Sequence, residues 1–73
     1  MTLAEIVAAI RARLPKAHAT LNFRDGLWRA GVVADAFALE RKGETQEEAC
    51  TRLLDSVIQR QAEQSHGTWR NHG

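Results

Sequence analysis

The chain is expected to fold as an α+β domain of order α-β-β-β-α, a three-stranded antiparallel meander with both helices on one face. Three observations predict it. Two capping boxes, Thr2 with Glu5 and Thr45 with Glu48, each open a run of apolar residues at helical spacing. Between them the apolar period drops to two, as in a half-buried strand. Asp25-Gly26 interrupts that alternation with the dipeptide of a two-residue hairpin turn, whose central residues both need φ > 0.

Each element follows in order. After Thr2, the residues Leu3, Ile6, Val7, Ile10 and Leu14 recur on one helical face, Arg11 and Arg13 suit the C-terminal end of the helix dipole, and Pro15 stops it. From Ala17, the residues Ala17, Ala19, Leu21 and Phe23 alternate with His18, Thr20 and Asn22. A turn at Asp25-Gly26 sets Phe23 against Trp28, Leu21 against Ala30 and Ala19 against Val32, all on one side. The other side receives Arg24 with Leu27, Asn22 with Arg29, and Thr20 with Gly31. After a short connection at Ala34 and Asp35, a third strand is expected over 36–42, with Phe37 and Leu39 inward and Ala38, Glu40 and Lys42 outward. Gly43 reads as the turn that releases this strand into the second helix. That helix is expected from Thr45 to about Ala62, with Ala49, Cys50, Leu53, Leu54, Val57 and Ile58 as its apolar stripe. Residues 1–64 thus make one domain, and 65–73, which lack a period, a flexible tail. Phe23, Trp28, Leu39 and Leu54 are expected to share its core.

At 73 residues only about 60% of the unfolded chain's surface can be buried, so stability is modest. Ten Lys and Arg stand against nine Asp and Glu, which excludes a chain-wide basic footprint for nucleic acid and an acidic tail for a basic partner. No apolar run approaches the roughly 20 residues that span a bilayer, and the N-terminus lacks the pattern of a secretory signal. A cytoplasmic protein is expected, monomer or homodimer.

Catalysis has little to stand on. His18, His66 and His72 are scattered, none at the helical spacing of a metal site, so neither a metal nor a cofactor is expected. The single Cys50 has two readings, a small buried apolar residue or an exposed thiol linking two subunits. No enzymatic role is expected.

Three resemblances bear on function. The element order resembles the double-stranded-RNA-binding domain, which grips phosphates with lysines at the start of its second helix. Here Glu44, Glu47 and Glu48 occupy that position and would repel them. The segment from Asp35 to Ala49, with Gly43-Glu44-Thr45-Gln46-Glu47-Glu48-Ala49, resembles the strand-to-helix junction of HicB-type antitoxins. Ala34, Ala36, Phe37 and Ala38 stand where that family has prolines and a glycine. That likeness implies neutralising a small toxin ribonuclease. In size and lack of catalytic residues the chain is similar to phage and mobile-element proteins of the anti-CRISPR kind, which implies occupying a surface of a larger nucleoprotein machine.

The function expected first is therefore a non-enzymatic binding protein, an anti-CRISPR-like inhibitor that masks a protein or nucleoprotein surface. A HicB-like antitoxin and a nucleic-acid-binding module are the alternatives, although nucleic acid is not expected as the sole partner. The open sheet face, with Thr20, Asn22, Arg24, Leu27, Arg29 and Lys42, is the expected partner-binding site. The acidic helix start, Glu44, Glu47 and Glu48, is the competing one. An Arg29→Glu change is expected to spare stability while weakening partner binding.

Overall fold

In the computed structural model, which describes residues 1–34 and 37–70 (for Phe37 and 64–70 the backbone alone), both capping motifs start helices. Thr2 Oγ1 accepts from the Glu5 N–H at 3.2 Å, and Glu5 Oε1 accepts from the Thr2 N–H at 2.8 Å. The capping box is thus closed on both sides and opens α1 (Leu3–Arg13). The Leu14 N–H still donates to the Ile10 carbonyl at 3.0 Å, and Pro15 then ends the helix.

Three strands follow, β1 (His18–Arg24), β2 (Leu27–Ala34) and β3 (Phe37–Gly43), in the sheet order β1-β2-β3 with antiparallel neighbours. Asp25 and Gly26 have φ of 55° and 79°, the left-handed conformations that a two-residue hairpin demands. The register is the one the turn dictates: Phe23 opposite Trp28, Leu21 opposite Ala30, Ala19 opposite Val32. Ala34 lies inside β2, and the rest of the expected connection, Asp35 and Ala36, lies outside the described residues. Leu39 packs against the core as expected, and the side chain of Phe37 lies outside the described residues.

The second helix, α2 (Gln46–Arg70), departs from expectation in three ways. Thr45 Oγ1 accepts from the Glu48 N–H at 3.0 Å, but Glu48 Oε1 reaches one residue further back, to the Glu44 N–H at 3.1 Å. Gly43 is required for space rather than for a turn. It is the last residue of β3, and a Cβ there would lie 2.5 Å from the Ala49 backbone nitrogen. The helix also runs past Ala62 to Arg70, because Gln59, Arg60, Gln61, Ala62, Glu63 and Gln64 are helix formers that need no apolar stripe to continue the backbone ladder. Residues 71–73 of the expected tail lie outside the described residues.

One hydrophobic cluster joins both helices to one face of the sheet. Ile6 and Ile10 of α1, Ala30 and Val32 of β2, and Ala49, Cys50, Leu53, Leu54 and Val57 of α2 are buried together. Burying a side chain the size of Leu53 or Val57 contributes about 1.5–3 kcal/mol. Polar clamps hold the layers in place. Arg41, on the helix side of β3, donates from Nε to Ser56 Oγ of α2 at 2.9 Å, and Arg13 and Gln61 exchange two hydrogen bonds of 3.2 Å between α1 and α2.

One expected core member and one residue of the expected α2 stripe lie outside the cluster. Phe23 is on the helix side of the sheet yet 59% exposed, because neither helix covers the hairpin end of β1. It rests on half-buried Trp28 with ring centroids 5.1 Å apart. Ile58, at the margin of the α2 stripe, is 39% exposed.

Candidate functional site

Side chains alternate across a strand, so the register that sends Ala30 and Val32 into the core sends their neighbours to the opposite, uncovered face. That face is built in rows across the three strands. His18, Val33 and Ala38 form one end; Thr20, Gly31 and Glu40 the next row; then Asn22, Arg29 and Lys42; and finally Arg24 with Leu27 at the turn. The structure therefore brings all six expected site residues to one surface. Thr20, Asn22, Arg24 and Lys42 are exposed, whereas Leu27 and Arg29 are half-buried.

The rows grade from apolar to cationic. Val33, 55% exposed, is the large apolar side chain at the His18 end. It is absent from the residues expected at this site, among which Leu27 is the apolar one. Counting two residues on from Gly31, which faces outward opposite Thr20, was the signal that would have found it.

At the other end Arg29 is held between two carboxylates. Its Nη2 lies 3.8 Å from Asp25 Oδ2 and its Nη1 lies 3.8 Å from Glu40 Oε1, while its Nε is buried without a hydrogen-bond partner. The side chain is 27% exposed. Arg29→Glu would set a third carboxylate beside those two, so the expectation that this change spares stability is revised. The arginine is part of the surface's own structure. Lys42 stands opposite it on β3 and is exposed, so a charge reversal there meets Arg29 rather than a carboxylate.

The competing acidic site is smaller than the sequence suggests. Glu48 is half-buried, caps α2 through the Glu44 N–H and pairs with Arg52 at 3.3 Å. Only Glu44 and Glu47 of the three are fully at the surface.

A second concave feature lies between α1 and β1. It is a cleft of about 230 Å³ walled by Val7 and Ile10 of α1 and by Ala19 and Leu21 of β1, with Cys50 and Leu53 at its base. Cys50 is buried, the first of its two readings, and desolvation pushes its thiol pKa up, which keeps it protonated at neutral pH. Among the described residues no three His, Cys, Asp or Glu side chains come together as a metal site, and no helix is long and apolar enough to cross a membrane.

No known protein family matches the chain, and neither a curated protein nor a solved structure does.

Proposed function

We propose that the chain is a non-enzymatic binding protein that masks a surface of a larger protein or nucleoprotein complex with the open face of its sheet. The observation that carries this reading is the arrangement of that face. An exposed apolar anchor, Val33, and a cationic end, Arg24, Arg29 and Lys42, sit on paired strands, and Arg29 is oriented by Asp25 and Glu40 before any partner arrives. Binding energy concentrates in a few such residues, and a side chain ordered in advance loses less entropy on association.

The face suits a protein better than a phosphate backbone. Affinity for nucleic acid scales with the number of cations free to displace counterions, and two carboxylates already neutralise the central arginine of this patch. A toxin ribonuclease, for an antitoxin, and a nucleoprotein machine, for an inhibitor of the anti-CRISPR kind, are the two protein partners this reading admits.

Affinity capture from a bacterial host with the wild type and with Lys42→Glu, Val33→Asp and Glu47→Lys variants tests it. The first two variants are expected to lose the captured protein at unchanged melting temperature, while Glu47→Lys keeps it. Loss in Glu47→Lys alone would move the site to the acidic helix start. A gel shift with duplex RNA or DNA at about 150 mM salt, abolished by Arg24→Glu with Lys42→Glu, would replace this reading with the nucleic-acid-binding one.

A further inference from the structure

We propose that β1 is the contact edge of a homodimer, in which the β1 strands of two copies pair antiparallel about a two-fold axis through Leu21 and join their sheets into one of six strands. The argument starts from where backbone groups point. A two-residue hairpin makes Arg24 and Leu27 a hydrogen-bonded pair, and the pattern alternates along an antiparallel ladder. Arg24, Asn22, Thr20 and His18 therefore turn their N–H and C=O groups to β2, and Ala19, Leu21 and Phe23 turn theirs to the open edge. Among the described residues no side chain or backbone group outside the sheet bonds to these three.

The same alternation makes Ala38, Glu40 and Lys42 the outward-facing residues of β3, and part of that edge is already occupied. Arg41 Nη1 donates to the Glu40 carbonyl at 2.7 Å and Arg52 Nη1 donates to the Lys42 carbonyl at 2.8 Å. Natural sheets blunt exposed edges with charge, proline, bulges or cover. β3 has charge and cover. β1 has no proline and no bulge, is continuously paired in register, and carries a single full charge, Arg24, at its end. Six of its seven residues are exposed.

The strand is also complementary to itself. With Leu21 on the axis, Ala19 of each copy lies opposite Phe23 of the other, and all three outward residues pair, two hydrogen bonds in each of the three pairs. Shifting the axis to Thr20 or Asn22 leaves one of them outside the ladder. The large, exposed Phe23 of one copy then lies beside the small Ala19 of the other, at the mouth of the cleft between α1 and β1. On the opposite face Thr20 meets Asn22, a neutral polar pair. Just beyond the strand ends the register sets Asp25 of one copy opposite Ala17 of the other, one residue from Lys16, so opposite charges stand near each other at both ends of the interface.

Sedimentation equilibrium of the full chain across a dilution series tests the proposal. The apparent mass is expected to rise from 8.1 kDa toward twice that value with concentration. Ala19→Pro removes an edge N–H where proline is sterically tolerated, and Phe23→Lys places a charge at the mouth of the cleft; both are expected to stay at the monomer mass while keeping the wild-type circular dichroism spectrum. Phe23→Lys alters only an exposed side chain, so it decides the matter should Ala19→Pro unfold. A carbodiimide, which joins an amine to a carboxylate at contact distance, is expected to link Lys16 to Asp25 in the wild type; within one copy the six rises of β1 set the two ends of the strand about 20 Å apart. A wild type that remains at the monomer mass throughout overturns the proposal, as does a dimer that persists in folded Phe23→Lys or that lacks the Lys16–Asp25 link.

Discussion

The two edge strands of this sheet have the same length and opposite surroundings. α2 lies along β3, tied to it by Arg41 on Ser56 and by Arg52 on the outward Lys42 carbonyl, while Arg41 of β3 also bonds the outward Glu40 carbonyl. β1 has no such roof. α1 leans on α2 and leaves β1 with one half-buried residue, Leu21, and an open cleft beneath it. The fold is therefore carried by β2, β3 and the two helices, while β1 is held chiefly by its pairing with β2. In this domain the helical layer reaches β3 but leaves the β1 edge unpaired, and an unpaired edge is a template for another strand.

Truncating one leucine from the covered core and one from β1 has the largest expected effect. Leu53→Ala removes a side chain that is 2% exposed beneath β2 and is expected to cost about 2–5 kcal/mol, read from urea denaturation. Leu21→Ala, from half-buried β1, is expected to cost roughly a third of that or less. Equal losses would mean that β1 is as much core as β2.

The closed side is probed next by Gly43→Ala. The added methyl would press into the Ala49 backbone at the first turn of α2, and a loss of about 1–3 kcal/mol is expected in the same assay. A neutral result would show that α2 can move off β3 without cost. Phe23→Ala on the open side is expected to lose only about 0.5–1.5 kcal/mol at high dilution, the worth of its ring contact with Trp28 rather than of a buried phenylalanine.

A smaller effect separates protection from stability. Arg52→Ala strips the hydrogen bond from the Lys42 carbonyl and the exposed pair with Glu48, and is expected to cost no more than about 1 kcal/mol. It is nevertheless expected to raise concentration-dependent association, because it uncovers part of the β3 edge; light scattering of the variant against the wild type checks this.

The smallest effect lies in α1, away from both edges. Hydrogen bonds from the Thr2 backbone and hydroxyl hold the Glu5 carboxyl below its ordinary value of 4.5. A depressed folded value means that the capping contribution is present above the unfolded value and lost as pH falls through the folded one. Thermal melts through the acid range are expected to show a slightly shallower acid limb for Glu5→Gln than for the wild type.

Local chemistry made much of this molecule legible in the sequence. The capping pairs at Thr2 and Thr45 and the Asp25-Gly26 turn act over three or four residues, and the turn alone propagates a register down both strands, so the element order, the strand pairing and the membership of the open face follow without tertiary information. Tertiary structure decided how far the helical roof extends. Parity places Phe23 on the helix side of the sheet, but only the resting place of α1 against α2 leaves that ring exposed while burying Ile6 and Ile10. It likewise decided that Gly43 serves the close approach of α2, that Arg29 is held by Asp25 and Glu40, and that Arg41 and Arg52 occupy two carbonyls of the β3 edge while, among the described residues, no hydrogen bond from outside the sheet reaches the β1 edge. Most of these contacts join neighbouring elements, Gly43 of β3 with Ala49 of α2, Arg29 of β2 with Glu40 of β3 and Arg52 of α2 with Lys42 of β3, and their geometry is fixed by how whole elements pack, which the periodicity of any one of them does not contain.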